Sequence, residues 1–148
     1  MPEDNVEVVR RYLEGTGAPG SWNEPRPALR EWFDGFWEPN GDYYPVAKFP
    51  GARPCHGVDA IVEFFYEYLG SWERYRVLMK DARAIGDDRV LARMHIEAEG
   101  RASGLELDGE VYHCCWLRNG RFIRVEDHLT EDGALRAMGL GDERLETA

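Results

Sequence analysis

One stretch near the C-terminus, GEVYHCCWLRNGRFIRVEDHLT (109–130), constrains the fold more than any other. Two strand-like runs flank Asn119-Gly120, and Asn-Gly in that setting is the strongest short-range hairpin signal. The turn decides which side chains share a face, because a one-residue slip sends every side chain to the other side. A two-residue turn at Asn119-Gly120 pairs Arg118 with Arg121. It sets His113 opposite Glu126 and groups Asp127 with Tyr112, Cys114 and Trp116. A three-residue loop, Arg118-Asn119-Gly120, pairs Leu117 with Arg121 instead. His113 then lies opposite Val125, and Cys115, Leu117, Ile123, Asp127 and Leu129 join it on one face. Apolar counting mildly prefers the first register, and turn geometry permits both.

The rest of the chain changes character near its middle. Residues 3–15 read as a helix with Val6, Val9 and Leu13 on one stripe. Residues 27–37 form a second, with Leu29, Trp32, Phe33 and Phe36 at core spacing. A short strand near 43–46 follows, among turn residues. The third helix, 58–70, carries Ile61, Phe64, Phe65, Tyr68 and Leu69 at helical spacing. Strands are then expected over 72–85, 88–99, 104–118 and 121–130, and a short helix closes the pattern. In 88–99, Arg93, His95, Glu97 and Glu99 alternate with Ala92, Met94, Ile96 and Ala98, a period of two. Helices first and a strand meander after predict an α+β domain, with helices packed on one face of an antiparallel sheet.

A chain of 148 residues fits one domain, expected over 1–140 with a polar tail at 141–148. Net charge is −10, from 18 basic and 28 acidic residues. Such a surface repels phosphate backbones and anionic lipid, so neither nucleic acid nor membrane is an expected partner. The cysteines are Cys55, Cys114 and Cys115, an odd number with two adjacent in a strand. No disulfide framework follows, and a cytoplasmic location is expected. His56, His95, His113 and His128 lie on different elements without metal-ligand spacing, leaving only a set assembled in space from His95, His113 and Asp127. No metal or other cofactor is expected.

The runs NVEVVRRYLEG, HGVDAIVEFFYEYL and CCWLRNGRFIRVEDHLTEDGAL, in that order, resemble the SnoaL-like, ketosteroid-isomerase-like branch of the NTF2-like superfamily. The resemblance spans nearly the whole chain. It implies a cone-shaped fold (a cystatin-like α+β barrel), in which N-terminal helices pack on a curved antiparallel sheet and enclose a pocket. It also implies the three-residue hairpin register, with His113, Cys115 and Asp127 looking inward.

Tyr12 matches the first-helix tyrosine that donates to the substrate oxyanion in the isomerases. His113 stands where those enzymes carry a protonated acid. The isomerase base, an Asp before a Pro, is replaced by Tyr44-Pro45, and a phenol is a poor base at neutral pH. Asp42 is a nearby substitute. In the polyketide cyclases a single Asp or His does the acid/base work, a part His113 could take with Asp127 orienting it. Arg93-Met94-His95 has the epoxide-hydrolase spacing without its second carboxylate.

The expected catalytic residues are therefore Tyr12, His113 and Asp127, with Trp32, Tyr44, Phe64, Leu69, Cys115 and Leu129 around the ligand. The expected ligand is a small hydrophobic organic molecule. Two functions stay open: cofactor-independent isomerase, cyclase or hydratase chemistry, or a non-catalytic ligand-binding or dimerisation domain. Homodimerisation is expected through the outer sheet face, with apolar Ala92, Met94 and Ile96 set opposite the charged parity.

Overall fold

The computed structural model describes residues 2–16, 26–49, 51–100 and 106–140. The helices are α1 (Pro2–Thr16), α2 (Arg26–Phe36), α3 (Val58–Gly70) and α4 (Glu131–Met138). The strands are β1 (Trp37–Tyr44), β2 (Cys55–His56), β3 (Trp72–Ile85), β4 (Arg89–Gly100), β5 (Glu106–Arg118) and β6 (Arg121–His128). They form one six-stranded sheet in the order β2-β1-β6-β5-β4-β3. Neighbours run antiparallel except β1 and β6, which are parallel. The architecture is α+β with an open, mixed sheet, and the polar tail at 141–148 lies outside the described residues.

The inner sheet face is the apolar parity of the strands. On β4, Val90, Ala92, Met94, Ile96 and Ala98 are buried, while Arg93, His95, Glu97 and Glu99 take the other side. Helices α1, α2 and α3 cover the inner face, and Val9, Leu13, Phe33, Ile61 and Phe65 join it in one core. Met94 and Ile96 therefore point into the protein. The apolar motive for pairing through the outer face is removed, because that face carries the charged set.

Besides the short β2, a strand where turn residues were expected, two elements differ from the sequence reading. β1 begins at Trp37, directly after α2, rather than near Tyr43. Pro39 disfavours helical geometry at Glu38, and the fully buried Trp37 starts the strand. The strand then bulges, and its register against β6 shifts between Trp37 and Asp42. Gly41 sits in this bend because a Cβ there would lie 2.5 Å from the Trp37 ring. The second difference is α4, which packs on the outer face rather than joining the other helices. Its Ala134, Leu135 and Met138 cover Leu91 and Cys114, apolar residues on the outward parity that need shielding. Thr130 caps it by accepting from the Gly133 N–H at 3.1 Å.

The hairpin obeys neither regular register. Asn119 (φ 54°) and Gly120 (φ 76°) form a two-residue turn, with Arg118 opposite Arg121 and Leu117 opposite Phe122. Positive φ at both central residues is the type I′ geometry that matches strand twist. A bulge follows: Trp116 pairs with Arg124, and Ile123 has no partner across the strand. Cys115 then meets Val125, and His113 meets Asp127. The cause lies in Phe122 and Val125. Both are fully buried, yet three residues apart they cannot share a face of a regular strand.

Candidate functional site

Three strands build the polar centre. His113 on β5 and Asp127 on β6 are directly opposite each other, with 2% and 8% of their surface exposed. The His113 Nδ1 hydrogen-bonds Asp127 Oδ1. Tyr43, on β1 beside Val125, donates its hydroxyl to the other carboxylate oxygen at 2.6 Å. A buried carboxylate needs such donors, since an uncompensated charge is costly to bury. With Nδ1–H turned to the carboxylate, a neutral His113 carries its lone pair on Nε2. That nitrogen is buried and has no partner among the described residues.

Tyr12 comes from α1. Its oxygen accepts from Trp37 Nε1 at 3.2 Å, and its ring stacks near His113 with centroids 6.3 Å apart. Tyr12, Tyr43, His113 and Asp127 line one side of an internal cavity of about 30 Å³. Met94, Ile96, Phe64, Tyr68 and Tyr75 make most of the remaining wall, and Phe49 contributes from the segment between β1 and β2. This is room for about two water molecules.

Burial fixes the state of the phenols. It pushes Tyr12 well above its ordinary value, against the Trp37 hydrogen bond that pulls it down. Tyr43 is raised by burial and further by the Asp127 charge, and Tyr68 and Tyr75 are raised by burial. All four are hydrogen-bond donors at neutral pH. Cys115 is also raised well above a normal thiol by burial, with Cys114 and Asp127 adding to it. A thiol held protonated is a poor nucleophile, and Cys115 packs as a small apolar residue.

The structure brings Tyr12, His113, Asp127 and Phe64 to one cavity. It takes the other expected lining residues elsewhere. Tyr44 faces away from Tyr43, with the Arg124 guanidinium 4.7 Å above its ring. Trp32 lies on the outside of α2, where its indole N–H donates to Thr16 at 2.9 Å. Leu69 and Cys115 are core residues that stop short of the cavity, and Leu129 is exposed just past β6. Asp42 bonds His56 on the exposed side at 2.8 Å.

Arg93 pairs with Asp81, and His95 meets Asp108 at 2.7 Å on the outer face. The sheet thus separates His95 from His113. His95, Glu97 and Asp108 do bring ligand-type atoms within 4.8 Å of one another, but on the exposed side.

Tyr43 and Tyr75 were not read as cavity residues, and Tyr68 was read only as a core position of the third helix. Tyr75 had a signal, since it alternates with Val77 and Met79 along β3. Tyr43 had a weaker one: of two adjacent tyrosines in a strand, only one can face inward.

No protein-family model and no curated protein matches the chain. Solved structures do. A protein described as a SnoaL-like polyketide cyclase of Jannaschia sp. CCS1 aligns at 17% identity, covering 95% of this chain and 94% of that one, with a TM-score of 0.69. Bal32a, from a soil-derived mobile gene cassette, aligns at 21% identity over 90% and 94%, with a TM-score of 0.71. A Catenulispora acidiphila protein with a ketosteroid isomerase-like fold, in complex with trimethylamine, aligns at 13% identity over 90% and 93%, with a TM-score of 0.65. The fold is that of the SnoaL-like and ketosteroid-isomerase-like NTF2 proteins.

Proposed function

We propose that the protein is a cofactor-independent acid/base enzyme acting on a small, largely apolar carbonyl compound in the internal cavity. One observation carries this reading: His113 is held by a buried carboxylate through one ring nitrogen, while the other lacks a partner beside a cavity. A base oriented by a carboxylate is the recurring arrangement for proton transfer.

The chemistry follows from the atoms. His113 Nε2 takes a proton from the carbon next to the carbonyl, and the C–H electron pair moves toward the carbonyl oxygen. Tyr12 donates its hydroxyl hydrogen bond to that oxygen as charge develops. Asp127 stabilises the imidazolium, and Tyr43 holds Asp127 in place. Return of the proton to another carbon isomerises the substrate. Alternatively, the carbanion attacks a second carbonyl of the same molecule, closing a ring, and the new alkoxide takes the proton back from His113 Nε2.

The test is α-proton exchange in D2O, followed by NMR on a panel of small ketones beginning with phenylacetone. His113→Gln keeps a donor for Asp127 and removes the base, with an expected loss of about 10²–10⁴-fold. Tyr12→Phe is expected to lose about 10²-fold. Wild-type exchange no faster than buffer across the panel would favour the second reading, a non-catalytic binding module. Either reading requires the cavity, which has room for about two waters, to widen around the ligand.

A second copy of the chain is the proposed protein partner. With the apolar motive gone, the support is ionic: Arg76 is exposed on β3 and Glu106 on β5, whereas Arg74 is taken up by Glu99, and Asp108 and Glu110 by His95. Sedimentation at micromolar concentration, at low and high salt, reads the association directly. The buried free thiols of Cys55, Cys114 and Cys115 support a reducing, cytoplasmic setting.

A further inference from the structure

The cavity has two polar ends, and the sheet register sets how far apart they are. Along β4 its floor is Met94 and Ile96, and Ala92 and Ala98 flank them on the same face of the strand. His113 is paired with Ala92, and Tyr75 is paired with Ala98. Six residues at roughly 3.3 Å each put about 20 Å of strand between those backbone positions. The Tyr12, His113 and Tyr75 side chains all line the cavity between those positions. Between them the wall is apolar, with Met94, Ile96, Val77 and Phe64.

Hydrogen-bond direction gives each end a vacancy. Tyr12 accepts from Trp37 Nε1, so its own hydroxyl proton has no acceptor among the described residues. At the far end Tyr75 accepts from the Tyr68 hydroxyl at 3.3 Å, and its proton is likewise uncommitted. Both phenols are nearly inaccessible, at 2% and 9% exposure. Buried donors are almost always satisfied, so each asks for an oxygen supplied from inside the cavity. Water supplies it when no ligand is bound.

Resting on the proposed active site, we infer that the ligand is two-ended: a carbonyl oxygen on Tyr12, an apolar middle over Met94 and Ile96, and a second acceptor oxygen on Tyr75. Tyr75 is then the residue that selects ligands by their distal group. A ligand without the distal oxygen leaves the Tyr75 donor unpaired and binds more weakly.

The test compares phenylacetone with 4-hydroxyphenylacetone, which differ only in a distal oxygen. Binding is read by tryptophan fluorescence and by NMR, and α-deuterium exchange is measured on the same samples. Wild-type protein is expected to bind the hydroxylated ketone about tenfold more tightly, the size of one good hydrogen bond. Tyr75→Phe brings that ratio to about one, while His113→Gln leaves it intact. A wild-type ratio near one, a ratio that survives in Tyr75→Phe, or no binding of either ketone overturns the inference. The wild-type ratio needs no variant to fold. Binding preference without exchange removes the catalytic reading and leaves the two-ended ligand standing.

Discussion

His113 and Asp127 stand directly across from each other on β5 and β6, and neither regular register of the Asn119-Gly120 hairpin would put them there. The bulge at Ile123 does. It lets a tight two-residue turn and an inward-facing carboxylate coexist on one strand.

The pair is buried deeply enough to dominate local stability. His113→Ala leaves the Asp127 carboxylate with only the Tyr43 hydroxyl, at an expected loss of about 3–5 kcal/mol. Asp127→Ala removes the acceptor that both His113 and Tyr43 use and should also destabilise. The double variant His113→Ala/Asp127→Ala should lose far less than the sum, since no charge is stranded. Urea unfolding of the four proteins measures the coupling, and additive losses would contradict a shared hydrogen bond.

Deleting Ile123 is expected to leave the fold and the His113–Asp127 contact in place. Leu117–Phe122 and Trp116–Arg124 would then be successive pairs of an ordinary ladder. Near-UV circular dichroism and the His113 imidazole signals check this. An unfolded product would mean that the bend at the bulge, rather than the pairing, is what the sheet requires.

Alkaline pH should weaken the fold. Tyr12, Tyr43 and Tyr68 have folded-state values above their ordinary 10.0, and Cys115 lies above 9.0. In the unfolded chain these groups lose protons at their ordinary values, while the folded chain keeps them. Their contribution to stability is complete below about pH 9, and falls as pH rises beyond it. Each group adds a slope of about 1.4 kcal/mol per pH unit once its unfolded form ionises. Urea midpoints from pH 8 to 11 read the decline, and Tyr43→Phe should make it shallower.

Phe49 stacks on Tyr68 with centroids 5.9 Å apart and reaches the cavity from an irregular segment. Phe49→Ala is expected to cost about 1–2 kcal/mol, below the range for a fully buried ring because Phe49 is only half-buried. Ligand association should quicken as the wall opens. Stopped-flow fluorescence with phenylacetone tests it, and an unchanged rate would place the entrance elsewhere.

Periodicity made much of this legible. α3 has the bounds its apolar spacing implied, and β4 has its apolar face inward as a period of two requires. The hairpin was visible in Asn119-Gly120, but its register was not, because a bulge has no sequence mark beyond the spacing of Phe122 and Val125. Tyr12, His113 and Asp127 meet at one cavity. Tyr43 escaped because the resemblance pointed to its neighbour Tyr44, and adjacent residues of a strand face opposite ways. Tyr44, Trp32 and Leu129 were misplaced for a common reason. Whether an aromatic or leucine points to a cavity or to solvent is decided by the neighbouring strand or helix, which lies far away in the chain.

The parallel junction of β1 with β6 has a consequence for how the molecule comes into being. Tyr43 waits for Asp127, 84 positions downstream, and β1 has no long partner strand until β6 arrives. During synthesis the helices and the β3–β4 ladder can form early, whereas the polar centre must be the last thing assembled. Until then β1 presents an open edge, and its bulge and Pro39 are what keep that edge from recruiting a stranger.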